Sequence, residues 1–329
     1  MPPMNRDVQI KLFTILVIAS VFSGTMVYTN GQKASTKESF REFHFIYKVT
    51  VPRVSGVEGL TQIWIPVPQD NEFQEVTNLD VWSPHNYTIG YDPIYNNKMV
   101  HIVASQPTEE FTVSFSFDIK RKEAGALMEN LSSSNRNLFL RPVSRVPRNV
   151  RFEKIAKTVI TFGSTKENGR ALYDHTLNRM AYDKSGSGWG RGDAIYACDI
   201  GKGNCTDFHS FFNAIARTAG IPSRFKIGFP IPNESFGDIP GYHCWTEFYT
   251  TEDGWIPVDI SEADKNPELS DYLFGNLDYN RVLFSVGRDI ELVPKSANGP
   301  VNFFIYPIME VSGVRSNNFT QSFYFENIE

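Results

Sequence analysis

A cysteine, a histidine and an aspartate follow one another along this chain in an order that suits nucleophilic chemistry: Cys205, His243 and Asp259. A thiol becomes an effective nucleophile when a base within hydrogen-bond reach takes its proton. The base in turn needs a carboxylate that fixes its tautomer and stabilises its charged form. The chain offers all three groups, so this order indicates thiol-based nucleophilic catalysis.

The segment around the cysteine predicts the helix that must position it. Apolar residues recur at three-and-four spacing from Phe208 to Ala219, and Gly220 followed by Pro222 supplies a stop. Cys205 then falls in the first turn, where unpaired N–H groups and the positive end of the macrodipole favour a thiolate. A small buried hydrophobe is the alternative, and position alone leaves both interpretations open.

The other two candidates lie on predicted strands, in "GYHCWTEFYT" and "GWIPVDIS". A two-residue turn between these strands would place Asp259 on the opposite side of the hairpin from His243. A three-residue loop, Glu252–Gly254, puts Asp259 on the same side but directly across from Glu247. It would then lie about 13 Å short of His243 at the rise of a strand, so a bulge or an unpaired stretch must close the gap.

Three stretches resemble the core motifs of the transglutaminase-like superfamily, whose catalytic core is related to papain-like peptidases: "GNCTDFHSFFNAIARTAGIPSRFKIGF", "GYHCWTEFY" and "GWIPVDIS". The "YD" at Tyr182 and Asp183 also resembles the family's approach to its cysteine. The resemblance implies that Cys205 is the nucleophile, His243 the base and Asp259 the carboxylate that orients the base. It implies attack on an amide carbonyl and a thioester on Cys205.

Neighbouring residues offer further assignments. His209 lies one turn beyond the candidate nucleophile, but it points along the helix instead of across a cleft, so we expect a structural role. Asp207 is expected to be a favourable partner of the helix dipole. Trp189, Tyr242 and Trp245 are candidate substrate-binding residues that would wall the cleft, with Trp189 on a glycine-rich loop free to move. Core packing is the alternative for both tryptophans.

The chain as a whole predicts an α+β fold. Period-two apolar patterns such as "FHFIYKVTV" and "FTVSFSFDI" predict an antiparallel β-sandwich-like domain over residues 38–120, followed by a linker at 121–150. The transglutaminase-like (papain-like) core is predicted at 151–290, with the nucleophile at a helix N-terminus packed on an antiparallel sheet. Residues 291–329 return to strand character and could complete either β layer.

The N-terminus predicts export. Residues 1–30 contain an apolar run, Leu12–Tyr28, behind Arg6 and Lys11, which is typical of a signal peptide. A cleaved signal is favoured, and an uncleaved N-terminal anchor is the alternative. We therefore expect a protein that is secreted, periplasmic or on the cell surface, with membrane contact only through this segment if it is uncleaved.

Export changes how the three cysteines are interpreted. In an oxidising compartment an odd number leaves one thiol unpaired or paired between molecules, and we expect this thiol to be Cys205. A Cys198–Cys244 disulfide stays open, because the sequence does not supply the distance. No C-x-x-C pair occurs and the six histidines are scattered, so we predict no metal and no other cofactor. The acidic stretch "SEADKNPELSD" lacks a strong calcium-loop pattern and is favoured as a solvated loop, with a bound cation as the alternative.

Three functions fit these residues. Water as the acyl acceptor makes the protein a peptidase or amidase, which is favoured because water is always present in an exported cleft. A lysine amine as acceptor makes it a cross-linking transglutaminase, and a surface binding or assembly protein without turnover is the third. Carbohydrate on Asn204, one of five Asn-x-Ser/Thr sites, would block the cleft and favour that third function.

The expected partner is a protein or peptide substrate. Lys and Arg total 32 against 37 Asp and Glu, so the net charge of -5 argues against nucleic acid as a partner. The sequence does not specify an oligomeric state.

Overall fold

A computed structural model of the chain describes residues 40–53, 59–105, 107 and 109–328. The predicted export segment, Leu12–Tyr28, lies outside the described residues. The first six elements are strands, as the alternating patterns predict: β1 (Phe40–Val51), β2 (Leu60–Pro66), β3 (Gln74–Trp82), β4 (Tyr87–Tyr91), β5 (Lys98–Ser105) and β6 (Phe111–Lys122).

Helices then dominate as far as the candidate nucleophile. They are α1 (Ser133–Leu140), α2 (Val150–Val159), α3 (Thr165–Arg179), α4 (Ala194–Ile200) and α5 (Cys205–Thr218), with two short parallel strands, β7 (Ala181–Tyr182) and β8 (Lys202–Gly203). Among the helices in the described ranges, none has the length and apolar run needed to span a bilayer.

Strands return after α5. They are β9 (Ser223–Pro230), β10 (Phe236–Asp238), β11 (His243–Thr250), β12 (Gly254–Val258), β13 (Arg281–Val286), β14 (Ile308–Val311), β15 (Val314–Ser316) and β16 (Thr320–Asn327). Helix α6 (Ile260–Lys265) and a 3₁₀ turn (Pro267–Leu269) lie between β12 and β13.

Two five-stranded antiparallel sheets form the β-rich layer, ordered β10-β16-β1-β6-β3 and β15-β14-β2-β5-β4. Alternate side chains of β1 and β6, such as Phe45 and Phe117, are fully buried. The same apolar core includes residues of β9 and β13, such as Phe229 and Phe284. The β-rich layer therefore shares its core with the sheet that contains β9 and β13.

The last strands complete both β layers. Strand β14 pairs with β2, and β16 pairs with β1 and β10. The sequence left open which layer this segment joins, and each half of it joins a different sheet. The segment predicted as a linker, 121–150, contains α1 and bridges to Trp255 and Leu277. It is therefore packed against the core.

A separate four-stranded sheet has the order β12-β11-β9-β13, and α5 packs against β11 and β9. Asn204 caps α5, with its side chain accepting from the Thr206 N–H, and Gly220 with φ +80° follows the end of the helix. These local signals explain why α5 agrees with the prediction. All described residues belong to one compact unit.

The β11–β12 hairpin sets the position of Asp259, and its register differs from the predicted one. Thr250 pairs with Gly254, so the loop is Thr251–Asp253 and not Glu252–Gly254. The last pair joins Thr246 to Val258. Asp259 therefore leaves the ladder on the side that carries His243, two residues nearer to it than predicted, and no bulge is needed.

Gly254 generates the first prediction, because its φ is +73° and an added Cβ would lie 2.1 Å from the Leu127 carbonyl oxygen. Gly254→Ala should lower the free energy of unfolding by roughly 2–5 kcal/mol, from backbone strain and overpacking together. Gly299→Ala is the matched control, since its φ is +77° with no atom within 4 Å. It should cost about 1–2 kcal/mol in urea unfolding. Equal losses would contradict the packing argument.

Candidate active site

Cys205 is the first residue of α5 and is 2% exposed. The capping residue Asn204 accepts from the Thr206 N–H at 3.0 Å, and the Asp207 carboxylate accepts from the Asn204 N–H at 3.0 Å. The Asn204 side chain and carbonyl take the N–H groups of Thr206, Asp207 and Phe208, which leaves the Cys205 N–H at the start of the helix to face an anion. The sequence folds into a helix that places the thiol at its positive end.

His243 opens β11 and is 6% exposed. Its Nε2 lies 2.7 Å from Asp259 Oδ2, while its Nδ1 lies 3.8 Å from Glu262 Oε1. The ring also interacts with the Cys205 thiol. Because Asp259 accepts a hydrogen bond from Nε2–H, Nδ1 is left to exchange a proton with the thiol.

Asp259 is fully buried and caps α6. Its Oδ1 accepts from the Glu262 N–H at 3.2 Å and from the Ser261 hydroxyl at 3.3 Å. Its Oδ2 accepts from His243 and also from Arg281 Nη1 at 3.0 Å. Four donors therefore fix the plane of this carboxylate.

The electrostatics favour a thiolate–imidazolium pair. Burial alone raises the pKa of Cys205, but hydrogen bonds from Cys244 and His243 and the charge of His243 outweigh it and lower the pKa to about 5. Burial lowers the pKa of His243, but the Asp259 carboxylate and then Cys205 raise it to about 10. Between about pH 5 and about pH 10, therefore, Cys205 is a thiolate and His243 is an imidazolium.

His209 has the structural role that its position predicts. Its Nε2 accepts from the Ile260 N–H at 3.1 Å, so the proton lies on Nδ1, which is 3.5 Å from Cys244 Sγ. Burial lowers the pKa of His209 to about 4, so the ring is neutral. Cys198, Cys205 and Cys244 are all free, so the disulfide left open by the sequence is not formed.

The three predicted cleft walls differ in how far they are buried. Tyr242 is half-buried, and its hydroxyl accepts from Asn204 Nδ2 at 3.0 Å, beside the nucleophile. Trp189 is half-buried on the loop before α4. Trp245 is 1% exposed in the core, so it cannot wall an open cleft. Its ring is stacked with that of His243, and the two centroids are 6.5 Å apart.

The loop that carries Trp189 is held in place, contrary to the expected freedom. The Asp207 carboxylate accepts from the N–H groups of Gly190 at 2.7 Å and Gly192 at 3.0 Å. Arg288, 1% exposed, donates to the Gly192 carbonyl at 2.8 Å and to the Ser210 hydroxyl at 2.7 Å. Asp207 therefore anchors this loop in addition to facing the helix dipole.

Sequence reasoning missed two buried arginines, Arg281 and Arg288. Both lie after the motif "GWIPVDIS". The only sequence signal for either arginine was a charged residue next to the apolar stretch of a strand. Asn204 was considered only as a carbohydrate acceptor, but it is 4% exposed and caps α5. Its engaged amide has no room for a glycan in the folded protein. Within the described ranges, no group of His, Cys, Asp or Glu is arranged to hold a metal ion.

A buried thiol, imidazole and carboxylate on an α+β scaffold are typical of a cysteine-enzyme family. Residues 154–260 match the model of the transglutaminase-like superfamily. An uncharacterised protein of Haemophilus influenzae is 26% identical over 94% of this chain and 96% of its own length. A candidate cysteine protease from Cytophaga hutchinsonii has the same fold, with a TM-score of 0.60 and 16% identity over 88% of this chain and 92% of that one.

Alkylation tests the ionisation of the pair. Iodoacetamide should modify Cys205 before Cys198 and Cys244, and the rate should be half-maximal near pH 5, because the thiolate is lost below the pKa of about 5. An ordinary thiol would give a midpoint near about 8.5. Intact mass and peptide mapping across pH measure both, with Cys205→Ser as the control. Equal labelling of Cys198 or Cys244 would rule out an activated Cys205.

Proposed function

We propose that the protein is an exported cysteine enzyme that cleaves amide bonds through a thioester on Cys205. The observation that carries this proposal is the 2.7 Å contact between His243 Nε2 and Asp259 Oδ2, beside a thiol at a helix N-terminus. This arrangement supplies a nucleophile, a base and an orienting carboxylate.

Acylation follows from the ionised pair. The Cys205 thiolate attacks the amide carbonyl carbon, and the Cys205 N–H at the start of α5 stabilises the oxyanion. As the C–N bond breaks, the His243 imidazolium gives its proton to the leaving nitrogen. The products are an amine and a thioester, and His243 is left neutral.

Deacylation reverses the proton transfer. Neutral His243 takes a proton from the acceptor as it attacks the thioester, and the Cys205 thiolate leaves. The position of Trp245 in the core supports water as the acceptor, because a buried ring does not form the outer wall that would exclude water. Peptide hydrolysis is therefore proposed ahead of transfer to a lysine amine.

Export is proposed on the sequence alone. The apolar run Leu12–Tyr28 behind Arg6 and Lys11 supports it, and this run lies outside the described residues. Protein and peptide substrates outside the cytoplasm are the partners that this proposal expects.

Removal of the carboxylate tests the proposed triad. Asp259→Ala should lower turnover by roughly 10²–10⁴-fold, because His243 loses the group that orients and charges it. Asp271→Asn, on a side chain 85% exposed, is the control and should keep full turnover. Circular dichroism establishes that both variants are folded. Full turnover in folded Asp259→Ala would contradict the assignment.

Acceptor choice separates hydrolysis from transfer. The enzyme is incubated with glutamine-containing and other peptide amides and a tagged primary amine. We expect cleavage or ammonia release to exceed tag incorporation, with some transfer at high amine concentration, because the cleft is only partly shielded. Predominant tag incorporation at modest amine concentration would make transglutamination the better description. No product with any amide, and none from Cys205→Ser, would favour a binding protein.

A further inference from the structure

Arg281 is a buried cation that contacts the candidate triad from outside the matched core. It opens β13 and is 4% exposed. Its Nη1 donates to Asp259 Oδ2 at 3.0 Å, and its Nη2 donates to Asp278 Oδ2 at 2.7 Å. The planar fork of a guanidinium makes both contacts at once, which an ammonium group cannot do.

Two features of the surroundings of Arg281 disfavour its charge in the folded protein. Its Nε is buried without a hydrogen-bond partner among the described residues, and the buried Arg121 carries a like charge nearby. Its guanidinium carbon lies 5.2 Å from the Trp245 ring centroid, and Trp245 in turn lies beside His243. Arg281 therefore contacts both the Asp259 carboxylate and the Trp245 ring that stacks with His243.

Charged and titratable groups reach this cluster from several elements. They are Cys205 and His209 of α5, His243, Cys244 and Glu247 of β11, Asp259 and Glu262 at α6, Asp278 before β13, Arg121 of β6, and Tyr173, Tyr182 and Tyr272. Among those that touch Asp259 Oδ2, Arg281 is the permanent cation.

The geometry points to Arg281 as a positioning residue that fixes Asp259 Oδ2 and offsets its charge, so that His243 can release its proton during turnover. Asp259 alone would hold His243 firmly as an imidazolium. A cation on the same oxygen weakens that hold, which helps the ring to give a proton to the leaving amine and to act as a base afterwards. This role rests on the proposed function.

The test is the pH dependence of Cys205 alkylation, which needs no substrate. The alkylation rate should change at two pH values, one where Cys205 loses its proton and one where His243 does. Removing a nearby cation makes both losses less favourable, so Arg281→Gln should move both inflections upward by about one pH unit. Arg281→Lys keeps the charge but loses the fork, so it should keep the inflections near those of the wild type while turnover falls.

Arg224→Gln is the matched control, because Arg224 is a largely buried arginine of the same sheet that pairs with Glu247 and not with Asp259. It should leave the inflections unchanged. An unmoved profile in folded Arg281→Gln, or an equal shift in Arg224→Gln, would overturn the inference. If Arg281→Gln does not fold, full turnover in Arg281→Lys would overturn it. Absence of preferential Cys205 labelling in the wild type would instead refute the proposed function.

Discussion

The buried Asp259 carboxylate is the group on which the rest of the site depends. It accepts from His243, Arg281, Ser261 and the Glu262 N–H, and it caps α6. A buried carboxylate is stable only when its lone pairs accept hydrogen bonds, so all four donors must be present at the same time. The register of the β11–β12 hairpin is what brings the carboxylate to these donors.

Local signals explain what the sequence predicted well. Helix α5 has its cap, apolar face and stop within one stretch, and the strands β1 and β6 have unbroken alternation. Three features depend on distant parts of the chain and were missed. Gly254 of the hairpin packs against the Leu127 backbone, Trp245 is covered by residues remote in sequence, and Arg281 meets Asp259 only in the folded chain.

The site is built in advance of any substrate. Asp207 and Arg288 hold the glycine-rich loop through backbone groups of Gly190 and Gly192, and the same Asp207 carboxylate bonds the cap of α5. The loop therefore loses its conformational entropy when the protein folds, and little further entropy is lost when a ligand binds.

The pairing of β1 with β16 has a consequence for biosynthesis. The nucleophile helix and its hairpin are synthesised well before β14 and β16, yet the sheets that share their core close only when those strands arrive. Contacts of such long sequence separation form late and slowly. A nascent chain therefore carries Cys205 without its finished surroundings until β16 has been made.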